Sequence, residues 1–189
     1  LLDRQSKVEL SDINLNGTFS NVSKRLVVQS FSTKLKEHYI KGDFSINGFH
    51  NPLISTNLTG NISLDKIAFF INSPATKLAG NSTFDIQIKA KKLDENFRIK
   101  DLNGDVSILE GKATYTTKQI DIDFDELHFA LSNTDMKIRG NRFKYQSDLF
   151  DFNTNIPNWI DVFLEKSQTI IVGGKMNFDL FTTSVWTDF

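Results

Sequence analysis

The sequence predicts an all-β fold: an antiparallel, strongly curved β-sheet that forms a groove, or a β-sandwich, with one short helix near residues 158–166. Three observations lead to this prediction. Apolar and polar residues alternate along most of the chain, turn-forming dipeptides interrupt the alternation, and a single segment has apolar residues at helical spacing. Such alternation is typical of antiparallel strands that have one dry face and one wet face.

Three segments show the alternation most clearly, around residues 40–46, 84–90 and 120–124. In each of them the apolar residues occupy every second position and polar residues lie between them, whereas a helix would need apolar residues three and four positions apart. The predicted apolar faces consist of Ile40, Phe44 and Ile46, of Phe84, Ile86 and Ile88, and of Ile120, Ile122 and Phe124.

Turn signals punctuate these strands. Asn-Gly occurs at residues 16–17, 47–48 and 103–104, and this dipeptide favours tight hairpin turns because both residues tolerate positive φ. Asn51-Pro52 and Ser73-Pro74 indicate further breaks. The spacing predicts about a dozen short strands.

One segment near the C-terminal end has helical periodicity. Pro157 precedes it, and we predict a short amphipathic helix over residues 158–166 that plugs an end or an edge of the sheet. Its apolar face consists of Trp159, Ile160, Phe163 and Leu164. The following residues, up to about 181, return to a strand pattern.

Residues 65–81 and 125–141 predict an internal repeat. Within these copies, residues 69–81 and 129–141 each run from a Phe through a polar turn to a closing Gly-Asn, and the longer copies align without a gap. In the first copy the apolar residues lie on even-numbered positions before Asp65-Lys66 and on odd-numbered positions after it. In the second copy the same change of parity occurs at Asp125-Glu126. Such a flip needs a bulge or a tight turn, so we expect an irregularity at both places.

Length and charge define the class of protein. The chain has 189 residues, 17 of them Phe and none Cys, and its net charge is −1. We expect a single domain over residues 1–189 that belongs to a longer protein. Without a basic excess we expect no nucleic-acid partner and no track for an anionic membrane surface. The absence of Cys excludes thiol chemistry and Cys metal sites.

Catalytic and metal-binding patterns are not found. The histidines, at positions 38, 50 and 128, lie in separate segments, and we interpret them as surface or groove-rim residues. The acidic run at 121–126 is straight and lacks a Gly, so it does not fit the curved oxygen cage that calcium needs. Val-Gly-Gly-Lys-Met at 172–176 lacks the spacing of a phosphate loop. We therefore predict no enzyme activity, no catalytic residue, no metal and no cofactor.

The order of the motifs resembles the AsmA-like proteins of Gram-negative bacteria, in particular the long forms of Bacteroidetes. The similar part runs from about Val8 to Asn141 and contains "LNGTF", "YIKGDFSINGFHNP", "TGNISLDKIAFF" and "KLAGNSTFDIQIKA". The resemblance implies a periplasmic fragment of a protein that an anchor outside this chain holds in the inner membrane. It also implies a β-groove that binds or conducts phospholipid for outer-membrane biogenesis, with other envelope proteins as possible partners.

Two interpretations of the apolar faces remain open at this point. If the sheet is a groove, the nine apolar residues named above line a lipid trough, which the helix at 158–166 caps at one end. The same pattern also suits the closed core of a sandwich. In that case the chain is a structural or adhesive β-repeat domain that binds protein or glycan partners, and exposed aromatic residues such as Trp159 or Trp186 would favour glycans.

Overall fold

A computed structural model of the chain describes residues 11–66, 76–93, 96–115, 120–146, 148–163 and 171–180. Their dominant feature is a single sheet of ten strands. The strands are β1 (Ser11–Ser20), β2 (Arg25–Leu35), β3 (His38–Asn47), β4 (Leu53–Ser63), β5 (Thr76–Leu93), β6 (Asn96–Tyr115), β7 (Ile120–Ser132), β8 (Asp135–Tyr145), β9 (Asp148–Pro157) and β10 (Gly173–Leu180).

The topology is the simplest possible for an antiparallel sheet. Each strand pairs with the one before it and the one after it, so the spatial order is the order along the chain. The sheet is curved and does not close, which leaves β1 and β10 as its edges. The prediction of an all-β curved sheet is confirmed, and the described residues contain no second sheet of the kind that a sandwich requires.

The Asn-Gly dipeptides have two different roles. Asn47-Gly48 ends β3 as predicted, and Gly48 has a φ of 73°. The other two dipeptides were wrongly interpreted as turns, since they lie inside β1 and β6. A Cβ on Gly104 would lie 2.5 Å from the carbonyl oxygen of Asp85, so this glycine permits close strand contact and does not form a turn.

A line of irregular pairing crosses the middle of the sheet. Glu110 in β6 and Arg142 in β8 have φ values of 51° and 50°, and Gly80 in β5 has a φ of 124°. Between these strands the pairing of β7 passes from Phe124 to Glu126 and omits Asp125. The irregularity predicted at Asp125-Glu126 is therefore present. The irregular positions of the neighbouring strands lie beside it and form one line across the sheet. Such bulges bend a sheet and increase its twist.

The internal repeat itself stays a prediction. Asp65 and Lys66 belong to a short helical stretch that follows β4, at the position of the first parity flip. Residues 67–75, the centre of the first copy, lie outside the described residues. In the second copy residues 125–132 belong to β7, and the turn at 133–134 leads into β8.

The helix begins where the sequence predicts it. It covers Trp159–Phe163 and follows Asn158, whose φ of 54° turns the chain away from β9. The indole Nε1 of Trp159 donates a hydrogen bond of 3.0 Å to the carbonyl oxygen of Ser132, which attaches the helix to the end of β7. The predicted residues 164–166, including Leu164, lie outside the described part of the chain.

Asp65 provides a small pH-dependent contribution to stability. Hydrogen bonds from the Lys66 ammonium, at 2.8 Å, and from the Ser63 hydroxyl lower the pKa of Asp65 below its usual value. A lowered pKa stabilises the fold above the unfolded-state pKa, and this stabilisation is lost as the pH falls through the folded-state value. Because the side chain is 51% exposed, we expect Asp65→Asn to lower the free energy of unfolding by at most about 0.5 kcal/mol at neutral pH. Urea unfolding should show the difference vanish in strong acid; an equal deficit there would contradict this explanation.

Candidate functional site

The apolar face of the sheet is built from rows of cross-strand partners, which lie on the same side of a sheet. One row begins at Ile40 and passes through Gly60 and Phe84 into β6. It consists of Ile40, Gly60, Phe84, Val106, Phe129 and Ile138. The next row consists of Gly42, Leu58, Ile86, Gly104, Leu131 and Met136. The apolar face therefore continues from β3 to β8.

Two shorter rows extend the apolar face toward the turns that follow β3 and β5. Phe44 aligns through Thr56 with Ile88, and Ile46 aligns through Ile54 with Ala90. These rows place six of the nine predicted lining residues on one continuous face. The six are Ile40, Phe44, Ile46, Phe84, Ile86 and Ile88, and all of them are half-buried.

The remaining three predicted residues lie in a different environment. Phe124 is 8% exposed, and its ring stacks on Phe143 with 4.7 Å between the ring centroids. Ile120 and Ile122 pack against the buried pair Tyr145 and Phe150. The structure thus divides the predicted lining set, because these three residues belong to a packed cluster near the β8–β9 connection and the other six belong to the open part.

We call that packing the phenylalanine cluster, which consists of Phe124, Phe143, Phe150, Phe152 and Phe178. Phe143 lies at its centre, with ring centroids 4.7, 5.9 and 4.8 Å from those of Phe124, Phe150 and Phe152. A Cβ on Gly140 would meet the rings of Phe143 and Phe152, which shows that the cluster lies on the apolar face. It fills one end of that face with side chains.

The rest of the apolar face has no covering layer in the described part of the chain. Each strand makes its principal contacts with the strands beside it. Among the described residues, the buried apolar side chains are Val28, Leu64, Leu102, Phe124, Tyr145 and Phe150. A sandwich of this length would bury far more, because its two inner faces would cover each other. Within the described residues the apolar face therefore has the character of an open trough and not of a filled core.

The opposite face carries polar residues that pair with one another. The three aspartates of β7 each have a separate partner: Asp121 accepts a hydrogen bond from Thr114, Asp123 pairs with Lys112 at 3.4 Å, and Asp125 pairs with Arg142 at 3.2 Å. His128 lies 3.1 Å from Asp105. Among the described residues there is no group of three His, Cys, Asp or Glu side chains that could hold a metal ion.

Sequence reasoning missed most of the phenylalanine cluster. Of its five members it singled out only Phe124, because the others lie on β8, β9 and β10, where the alternating segments are shorter. The pattern Phe-x-Tyr at 143–145 and Phe-x-Phe at 150–152 alternates in the same way. These short aromatic alternations, which flank the β8–β9 connection, are the signal that could have revealed it.

Comparisons with known proteins identify no relative. No family model, no curated protein and no solved structure matches the chain. The resemblance to AsmA-like proteins therefore stays a prediction. Of the helices in the described residues, none has the length and apolar character needed to cross a bilayer.

Proposed function

We propose that the chain binds the acyl chains of phospholipid, or conducts them, along the apolar face of its open sheet. The observation that carries the proposal is the continuous apolar face of β3 to β8, which no second layer covers within the described residues. Each CH₂ group removed from water contributes about 0.8 kcal/mol, so such a face favours a hydrocarbon ligand. The proposed role is binding and not catalysis.

The dimensions of the trough suit this ligand. Between Phe84 and Ala90 the strand β5 extends for roughly 20 Å at the usual rise per residue. One leaflet of a bilayer core is about 15 Å thick, so one acyl chain laid along the strands fits this length. At one end the phenylalanine cluster fills the apolar face, which would limit how far the chain can reach.

The setting that we propose follows from the resemblance of residues 8–141 to AsmA-like proteins. In that setting the chain lies in the periplasm, and an anchor outside it holds the full protein in the inner membrane. We further propose that the helix Trp159–Phe163 acts as an end cap. The hydrogen bond from Trp159 to Ser132 supports this role, because it holds the helix at the end of the sheet opposite the phenylalanine cluster.

A charge placed on the trough should abolish lipid binding. Ile86 lies near the middle of the apolar face, between Leu58 and Gly104. We expect Ile86→Asp to reduce the lipid that copurifies with the protein at least tenfold, because a carboxylate is costly to bury against hydrocarbon. Mass spectrometry of extracts from protein purified from a Gram-negative envelope measures the effect.

The matched control is Gln87→Asp, which adds the same charge to the next residue on the exposed polar face. It should keep its lipid. A milder variant, Ile86→Ser, guards against loss of the fold, and circular dichroism verifies that each variant is folded. Wild-type protein without lipid, or folded Ile86→Asp with its lipid content unchanged, would contradict the proposed function.

A further inference from the structure

One end of the sheet combines turns that hydrogen bonds hold together. The turn 21–24 lies next to the connection 48–52, where the Gly48 N–H donates to the Lys24 carbonyl oxygen at 2.9 Å. At the other side of that connection, the Lys92 N–H donates to the Pro52 carbonyl oxygen at 2.9 Å. The turn between β1 and β2, the connection between β3 and β4 and the last residues of β5 therefore form one continuous end of the sheet.

Cations are concentrated at this end. The basic rim, as we call them, consists of Lys24, Arg25, Lys91, Lys92, Arg98 and Lys100. Arg25, Lys91 and Arg98 lie in a single cross-strand row at the strand ends. The rim also outnumbers the acidic residues nearby in sequence or structure, which are Asp94 and Glu95, in the β5–β6 connection outside the described residues, Asp135 at the start of β8, and Asp161 of the helix. A fifth carboxylate, Asp101, follows Lys100 and pairs with Lys89 at 3.0 Å.

The pairing within the rim is unfavourable for the fold alone. Lys91 and Arg98 are direct cross-strand partners, and like charges directly opposite each other destabilise a sheet. In a chain whose net charge is only −1, this local concentration of cations is what an anionic partner would require. The net charge of the whole chain does not reveal this local patch, and for that reason the sequence predicted no anionic surface as a partner.

Exposed apolar side chains surround the basic rim. Val22, in the turn 21–24, is 98% exposed, and Phe19 at the end of β1 is 64% exposed. Phe19 stacks on Phe49, with 5.9 Å between their ring centroids. Apolar side chains at the tips of turns, next to basic residues, are the combination with which peripheral proteins bind lipid interfaces.

We propose that this end of the sheet docks on the surface of an anionic lipid bilayer. The basic rim contacts lipid phosphate groups, and Val22, Phe19 and Phe49 enter the interfacial layer. The apolar face of the sheet begins directly behind these residues, at the row that contains Ile46 and Ile54. Docking does not depend on lipid in the trough, so it stands or falls separately from the proposed function.

Vesicle cosedimentation tests the proposal with wild-type protein. We expect binding to vesicles of phosphatidylglycerol and phosphatidylcholine in equal parts, weak binding to pure phosphatidylcholine, and release at high salt, which shortens the range of the electrostatic attraction. Equal binding to both kinds of vesicle, or no binding to either, would overturn the proposal.

Arg98→Glu separates docking from folding. It places a carboxylate opposite Lys91, so the new cross-strand pair should leave the fold at least as stable as in wild type. It also changes the charge of the rim by two, and we expect about thirty-fold weaker binding to anionic vesicles. The matched control is Lys77→Glu, which makes the same charge change at the other end of β5, opposite Thr114. Unchanged binding by Arg98→Glu, or an equal loss in Lys77→Glu, would refute docking at this end.

Val22→Ser tests the apolar contribution. Because Val22 is almost fully exposed, its loss should not alter the fold, but it should weaken vesicle binding about tenfold if the side chain enters the bilayer. The control is Leu109→Ser, which removes another exposed apolar side chain, 49% exposed, at a distance from this end. Equal binding by Val22→Ser and Leu109→Ser would exclude insertion of the turn.

Discussion

Phe143→Ala should lower the free energy of unfolding by about 3–4 kcal/mol, a large part of the stability of a domain of this size. The ring of Phe143 contacts three others in the phenylalanine cluster, at centroid distances of 4.7, 5.9 and 4.8 Å. Its removal leaves a cavity on the apolar face and also removes aromatic contacts, each of which contributes about 0.5–1.5 kcal/mol beyond its buried area.

Urea unfolding monitored by circular dichroism measures this loss. Phe19→Ala serves as the control, since Phe19 is 64% exposed and, among the described residues, stacks on a single ring, that of Phe49. We expect the control to lose less than about 1 kcal/mol. Similar losses in the two variants would show that the cluster does not dominate the stability of the sheet.

Gly111→Ala should be destabilising by about 1–3 kcal/mol, although alanine is ordinarily better than glycine in a strand. A Cβ at position 111 would lie 1.9 Å from the Phe124 ring, and that ring is stacked between β6 and Phe143. The ring is rigid and surrounded, so it has little space into which to move. The added methyl group must therefore displace the cluster or the backbone.

A second substitution tests the cause. Phe124→Leu removes the atoms that the methyl group would meet, so the double variant Gly111→Ala/Phe124→Leu should lose less stability than the sum of the two single changes. Gly173→Ala is the neutral control, because a Cβ there has no neighbour within 4 Å. Additive losses in the double variant would mean that the collision at Phe124 is not the reason.

The strands of the open trough could be predicted from the sequence because a period of two determines which face a side chain takes. In β5 the alternation of Phe84, Ile86 and Ile88 with charged and amide residues was sufficient to place them correctly. Strand length was less predictable. β5 and β6 have 18 and 20 residues, because β6 continues through Asn103-Gly104, where a turn was expected, and a bulge near Glu110 lets the pairing with β5 continue.

The arrangement of the candidate site depended on long-range packing. Nothing within β7 shows that Phe124 lies in a filled part of the apolar face and Phe84 in an open part, because the difference arises from rings on β8 and β9. The basic rim was also hidden, since Arg25 and Arg98 are 73 positions apart in sequence and meet in one row only when five strands are aligned.

The strictly sequential order of the ten strands has a consequence for how the chain folds and how it fails. Every interface joins strands that are neighbours in sequence, and seven of the nine connections have five residues or fewer, so the ordering of most new strands requires only a short loop to close. The contact order is correspondingly low for an all-β protein, and local hairpins can form and join without a distant partner. The free energy of unfolding is then approximately the sum of contributions from the individual strands and from each pair of neighbouring strands, as in a solenoid. A substitution that prevents a middle strand from pairing therefore divides the sheet into two parts that can each stay folded. A substitution that prevents an edge strand from pairing leaves a sheet with one strand fewer.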